Sequence, residues 1–178
     1  MDENQKIDIL SLELSELEEI LVKMGEKKFR AKQIFEWLHI KRVTDFDSMT
    51  NLSSSLRTKL EEHFCLKSLF VVKNLESSTD NTVKYLYRLS DGNHIETVLM
   101  EYNHGNSICV STQVGCRMGC KFCASTIGGK ERDLTPGEII DQIIFASKEI
   151  LSLQKFCCRF MSLKEIQEEK FRALCLWE

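Results

Sequence analysis

The sequence contains no apolar run approaching the roughly 18 residues that cross a bilayer, so no membrane-spanning helix is expected. It has little net charge. Its 24 Lys and Arg stand against 27 Asp and Glu, a balance of −3 that does not mark a general polyanion binder. Any RNA contact must therefore come from a local basic face. The opening MDENQKIDIL is acidic and polar, unlike a secretory leader, and none is expected. The expected location is the cytosol. No internal repeat is present, and proline occurs once, at Pro136.

What is present suits a packed globule. The 178 residues are 43% hydrophobic and 29% charged, enough for one ordinary domain or two small ones. Cysteine is abundant, with eight in the chain. Without an export signal, ligation or redox chemistry is a better reading than disulfides. Cys109, Cys116, Cys120 and Cys123 crowd one stretch, and Cys157, Cys158 and Cys175 lie in the tail with no role assigned. Cys65, beside Phe64, reads as a packing residue.

Apolar spacing predicts helices over residues 12–24, 31–40 and 53–64. Ser15 with Glu18 is the expected capping box of the first, and Gly25 its stop. The segment from Ser68 to Val114 changes to strand character. Residues 69–72, 83–89, 95–100 and 108–110 read as strands, with a hairpin turn at Ser90-Asp91-Gly92-Asn93 and a polar break over 77–81. A cysteine loop follows, from Gly115 to about Asp133. Thr135-Pro136-Gly137-Glu138 then opens a helix to about Ile150, with Thr135 as cap and Glu138 completing the box. Strand, ligand loop and helix in this order fit the first unit of a β/α barrel. Residues 156–160 read as a short strand and 162–173 as a charged helix, neither with an obvious partner.

The predicted class is thus mixed α+β and α/β. It comprises a helical accessory domain (1–66), an antiparallel β lead-in (67–101), the start of a barrel carrying the cysteine loop (102–150) and a divergent tail (151–178).

Cys116-x3-Cys120-x2-Cys123 is a cluster-binding spacing. Four thiolates saturate an iron–sulfur cubane, so three leave one iron open to a small chelating ligand. Gly115 and Gly119 would let the backbone fold tightly around it. Phe122 would shield the cluster or pack against a bound ligand. Zinc is the rival, with Cys109 or His104 as the fourth ligand, although zinc prefers paired C-x2-C knuckles. An incidental set of buried cysteines is the blandest reading.

The run from Cys109 through Gln113, Cys116, Cys120 and Cys123 to Thr126 resembles the radical S-adenosylmethionine RNA methyltransferases that methylate C2 of adenine, the RlmN family. The resemblance extends back through Gly92-Asn93-His94-Ile95-Glu96-Thr97-Val98 and on through Arg132 to Ile139. It also takes in Lys27-Lys28-Phe29-Arg30-Ala31-Lys32 of the helical segment, about residues 10–150 in all. It implies a [4Fe–4S] cluster on Cys116, Cys120 and Cys123, with S-adenosylmethionine chelating the open iron. It implies further that Glu96 is the proton acceptor and that Cys109 is the catalytic cysteine that resolves the substrate adduct, by a disulfide with a methyl-carrying cysteine. The implied partners are 23S rRNA, tRNA and an electron-donor protein; a monomer is expected.

On residues alone, Glu96 could simply face solvent and Cys109 could be a core residue. The basic cluster Lys27, Lys28, Arg30 and Lys32 suits phosphate contacts as well as an ordinary solvated face. Methylation at adenine C8, a non-catalytic RNA- or metal-binding remnant, and a zinc-binding interaction module remain alternatives. The resemblance also departs from the family. Only 55 residues follow Cys123 (178 − 123), while one βαβ unit takes about 30 or more. The family's Gly-Met-Gly-Glu-Pro motif and carrier cysteine have no match. A truncated product, inactive as the 178-residue chain alone, is the resulting expectation.

Overall fold

The computed structural model describes residues 6–66, 69–103, 105–149 and 156–157. They fall into two compact units, divided between Ser68 and Leu69.

In the first unit, β1 (Ile7–Asp8) pairs in parallel with β2 (Phe64–Cys65), a two-residue ladder that joins the unit's ends. Helix α1 spans Leu14–Lys23. Its capping box uses Glu13 and Glu16, not Ser15 and Glu18: the Glu13 N–H donates to Glu16 Oε2 at 2.7 Å. Gly25 ends it with a left-handed φ of +78°. Helix α2 (Phe29–Phe35) starts two residues before the predicted Ala31 and continues as a wider π turn over Glu36–Ile40. The widening is visible where the Lys41 N–H reaches back five residues to the Glu36 carbonyl at 3.0 Å. Helix α3 (Ser54–His63) is capped by Ser53, whose hydroxyl accepts from the Leu56 N–H at 3.2 Å. Leu17, Leu21, Ile34, Leu38, Leu56 and Leu60 fill the core at helical spacing.

The second unit is built on one sheet of β3 (Leu69–Glu76), β4 (Val83–Leu89), β5 (His94–Tyr102), β6 (Gly105–Cys109) and β9 (Phe156–Cys157), in that spatial order. Strands β3 to β6 are antiparallel, and the turn at 90–93 forms as expected, with Gly92 at φ +89°. A separate antiparallel hairpin joins β7 (Gln113–Gly115) to β8 (Lys130–Asp133). It brackets the cysteine loop, where no strand after Gly115 was expected. Helix α4 covers Pro136–Glu149.

Strand β9 pairs in parallel with β6, Asn106 opposite Phe156 and Ser107 opposite Cys157. The short strand expected to lack a partner therefore has one. The reason is topological: α4 intervenes, and a helical crossover is what lets two strands run parallel. The antiparallel and parallel strands form one sheet. The tail helix predicted over 162–173, together with Cys158 and Cys175, lies outside the described residues.

Alternation along the strands creates two unlike faces. Tyr85, Tyr87, Leu89, Ile95, Thr97, Leu99 and Ile108 are buried. Helix α4 packs on this side, with Phe145 edge-on to Tyr85 and Tyr87 at ring separations of 6.2 and 5.5 Å. The opposite face, which carries Arg88, His94, Glu96 and Cys109, is open. Among the described residues no helix is long and apolar enough to cross a membrane.

Candidate functional site

The cysteine loop grows from the β7–β8 hairpin. Gly115 ends β7 with φ +69°, and a Cβ there would stand 1.9 Å from the Gly129 carbonyl oxygen. That same oxygen accepts the Cys116 N–H at 3.0 Å and closes the loop at its base. Within the loop the Cys123 N–H donates to the Cys120 carbonyl at 3.1 Å. The Thr126 hydroxyl is shared between the carbonyls of Cys120 (3.0 Å) and Cys123 (2.8 Å). These bonds tie the second and third cysteines to one short turn. Gly119 turns the chain at φ +67° in open space. The Met118 N–H points at Cys116 Sγ from 3.5 Å.

Cys116, Cys120 and Cys123 are free thiols, each half-buried. Among the described residues no three His, Cys, Asp or Glu side chains are gathered closely enough for one metal ion. His104, the possible fourth zinc ligand, lies outside the described residues. Tetrahedral zinc with Zn–S of about 2.3 Å would draw its sulfurs to about 3.8 Å apart. A cubane spaces its ligands around a larger body and needs only three of them here. Three thiols on one loop are the donor set that such a cubane takes. Phe122, Met118 and Ile127 project from this loop, with exposures of 94%, 74% and 87%. Phe122 thus stands in solvent beside the thiols.

A charged clamp braces the loop's second arm. Arg132 of β8 makes a two-pronged contact with Glu138, Nη1 to Oε2 and Nη2 to Oε1, both at 2.8 Å. Its Nε reaches Asp91 Oδ2 at 2.7 Å, in the β4–β5 turn. Glu138 is buried and completes the predicted capping box, accepting from the Thr135 N–H at 2.8 Å while its own N–H donates to Thr135 Oγ1 at 3.2 Å. Hydrogen bonding to Glu138 is the leading cause that holds the Arg132 guanidinium above its usual range. Partial burial works to raise the Asp91 carboxyl, but bonds from Asn93 and from Arg132 hold it below the ordinary value.

Glu96 and Cys109 lie on the open face of the sheet. Cys109 sits opposite Val98, two residues along β5 from Glu96, so all three side chains leave on one side. Cys109 is exposed and is not a core residue. Glu96 is exposed too, paired with Lys84 Nζ at 2.8 Å. Behind them, fully buried Gln142 of α4 saturates its amide. Its Oε1 accepts from Thr97 Oγ1 (2.8 Å) and the Ser111 N–H (2.9 Å), and its Nε2 donates to the Ser111 carbonyl (2.9 Å) and the Glu138 carbonyl (3.2 Å). Ser111 Oγ then donates to the Glu96 carbonyl at 2.7 Å. One side chain thereby fixes the joint between Cys109 and the cysteine loop. The sequence carried a signal for it: a glutamine among Ile139, Ile140, Ile143 and Ile144 on a buried face needs partners.

Gln142→Leu would leave the Ser111 backbone groups and the Thr97 hydroxyl unpaired. We expect a loss of about 3 kcal/mol, from two or three orphaned groups at about 1–3 kcal/mol each. The midpoint of urea unfolding checks this; an unchanged midpoint would refute it.

In the first unit, Lys28 pairs with Glu18 at 3.0 Å, while Arg30 bonds Gln33 at 2.7 Å and lies 4.9 Å from the exposed Phe29 ring. Lys27 and Lys32 are exposed. The expected basic patch is thus at the surface, partly neutralised.

Residues 7–66 match the family described as ribosomal RNA large subunit methyltransferase N-terminal domain. The chain is 58% identical over 139 residues to a probable dual-specificity RNA methyltransferase RlmN of Lachnoclostridium phytofermentans, covering 78% of this chain and 39% of that protein. It is 53% identical over 146 residues to the protein of the same name from Staphylococcus haemolyticus, covering 82% and 40%. It thus spans about 40% of the length of these curated relatives. A crystal structure of a radical SAM methyltransferase from Sphaerobacter thermophilus superposes with a TM-score of 0.76 at 39% identity, covering 84% of this chain and 45% of that one. The matched stretches include both the helical unit and the cysteine loop, and by these likenesses the chain belongs to the RlmN family and corresponds to the N-terminal part of its members.

Proposed function

We propose that this chain carries the RNA-contacting and cluster-binding portion of a methyltransferase acting on C2 of adenine in 23S rRNA and tRNA. The observation that supports this best is the adjacency of two features in one unit. Glu96 and Cys109 share the open sheet face, and Cys116 begins a three-thiol loop seven residues after Cys109 (116 − 109). In this reading β6, α4 and β9 are the first unit of a β/α barrel, with the open face turned inward. Helices cover the outside of such barrels, and reacting groups sit at strand ends.

Cys116, Cys120 and Cys123 would hold a [4Fe–4S] cluster. Together with S-adenosylmethionine, that cluster supplies a one-electron route to a carbon radical. The protein's own part is positional. The hairpin closed at Gly115 and Gly129 holds the three sulfurs on one loop. Gln142 and Ser111 fix Cys109 relative to that loop. Glu96, exposed and paired with Lys84, would take a proton from the substrate base, and Cys109 offers an exposed thiol to resolve a covalent adduct. The basic surface of the first unit would bind phosphates. An electron-donor protein would be required, and the enzyme would work as a cytoplasmic monomer.

The test is a chimera in which residues 1–149 replace the matching N-terminal part of a relative such as the Bacillus licheniformis protein. Mass spectrometry of 23S rRNA and tRNA should show 2-methyladenine, lost in Glu96→Gln and Cys109→Ser. A folded, iron-loaded chimera that makes none, or makes 8-methyladenine, would refute the proposal. In the 178-residue chain itself, Cys120→Ser should cut iron retention after anaerobic reconstitution at least tenfold, because two thiolates hold a cubane poorly. Retention equal to the parent would show that the thiol is not a ligand.

A further inference from the structure

The open face of the sheet carries charge and aromatic surface well beyond Glu96 and Cys109. The strand registers place them in rows. Phe70 of β3 lies opposite Arg88 of β4. Lys73 lies opposite Leu86, which is opposite Glu96. Lys84 lies opposite Val98, which is opposite Cys109. Phe70 is 45% exposed on the outermost strand, and the Arg88 guanidinium is 5.5 Å from its ring centre. The cationic groups are Lys73, Lys84 and Arg88, against a single carboxylate, Glu96, which Lys84 already neutralises. On a chain of net charge −3, this face is locally positive. It also runs unbroken from the outer strand β3 to Cys109 on β6, four strands across at about 4.8 Å each.

We propose that this face is the track for single-stranded RNA leading to Glu96 and Cys109. Phe70, with Arg88 over it, would stack an unpaired base, and Lys73 and Arg88 would contact phosphates. Exposed aromatics on a sheet with interspersed cations are how sheets bind unpaired nucleotides, because every base offers a stacking face and every linkage a negative charge. The arrangement would hold the nucleotides that flank the target adenine, which must itself leave its stack for its C2 to be reached. Nothing about the cysteine loop is required for this contact. The proposal rests on the RNA-methyltransferase reading and assigns the approach route of its substrate.

The test uses the 178-residue chain and a fluorescein-labelled, adenine-rich single-stranded RNA followed by fluorescence anisotropy. The double variant Phe70→Ser/Arg88→Gln should bind about tenfold or more weakly. Lys73→Gln should lower the slope of log affinity against log salt by about 0.7, the value of one phosphate contact on a single strand. Both changes are on exposed positions, and matching circular dichroism and melting curves verify the fold. Ultraviolet crosslinking of 4-thiouridine RNA, with peptide mapping, should label β3 and β4. If the parent binds RNA and the variants bind equally well, or the crosslinks fall elsewhere, the face is not the track while the RNA reading stands. If the parent does not bind RNA at low salt, that reading fails together with the track. A parent that dimerises through Phe70 in sedimentation, with RNA binding unaffected by the variants, would assign the face to a second copy and overturn the proposal.

Discussion

Gly115→Ala is expected to abolish stable iron incorporation while leaving all three cysteines in place. The added Cβ would lie 1.9 Å from a backbone oxygen, that of Gly129, so no side-chain rotation can relieve it. The left-handed φ of +69° adds about 1–2 kcal/mol for a residue with a Cβ. Parting the two strands breaks the Cys116–Gly129 bond, worth about 1 kcal/mol more. We expect a local cost of about 3 kcal/mol or more, iron content down at least tenfold, and rapid hydrogen exchange at the Cys116 amide. Gly119→Ala is the internal control. Its φ of +67° is equally left-handed, but a Cβ there meets nothing within 4 Å. It should pay only about 1–2 kcal/mol of backbone strain and keep most of its iron. Equal behaviour of the two variants would show that the contact at Gly129 is not what shapes the loop.

Arg132→Ala is expected to lower stability by removing the counter-charge of a buried carboxylate. Arg132 is only part-exposed, and the Glu138 carboxylate it grips is buried. Removing the cation leaves Glu138 with the Thr135 N–H but no counter-charge, and leaves Asp91 without its link to β8. Breaking a buried pair from one side costs about 3–5 kcal/mol. Thr135 remains and the guanidinium is part-solvated, so we expect about 3 kcal/mol and a melting temperature lower by on the order of 10 °C. Arg132→Lys should recover only part of this, because one ammonium cannot reproduce the two-pronged contact while also reaching Asp91. The Asp91 share has a defined pH dependence. Its folded-state value lies below the ordinary 3.8, so its contribution is present above that pH and lost as the pH falls through the lower folded value. The stability gap between parent and Arg132→Ala should therefore narrow in strong acid. A gap that stays constant as the pH is taken from 7 into strong acid, well below 3.8, would contradict the clamp.

The local signals in the sequence were the readable ones. Thr135-Pro136-Gly137-Glu138 starts α4 as its residues dictate, since cap, ring and box all act within one turn. Ser53 caps α3 for the same reason. The first helix shows the limit of such signals. Glu13-x-x-Glu16 and Ser15-x-x-Glu18 both have the box spacing, and the box that forms is the one that starts the helix at Leu14. Non-local pairings were illegible. Nothing near Phe156 or Cys157 says that they lie beside Asn106 and Ser107, because that ladder depends on the helix between them. Nor did Ile7–Asp8 announce its pairing with Phe64–Cys65.

The candidate residues stood out in the sequence, and the segments that support them did not. The cysteine spacing named the loop. The flanks of Cys109, Ile108 and Val110, pulled toward a core reading, but alternation puts Ile108 inside and Cys109 out. Glu96 does face solvent, as the bland reading allowed, on the same face as Cys109. Arg132 and Gln142 were missed as a pair of braces. Each joins segments far apart in sequence, Arg132 reaching back 41 residues to Asp91 and Gln142 reaching back 45 to Thr97.

We propose above that the Cys116-x3-Cys120-x2-Cys123 loop holds a cubane with one open iron. Its most direct test is iron and acid-labile sulfide analysis of the anaerobically reconstituted chain, with electron paramagnetic resonance of the reduced sample before and after S-adenosylmethionine is added. We predict about four irons and four sulfides per chain and a cluster signal that shifts when S-adenosylmethionine binds. Zinc in place of iron, or a cluster signal indifferent to S-adenosylmethionine, would contradict it.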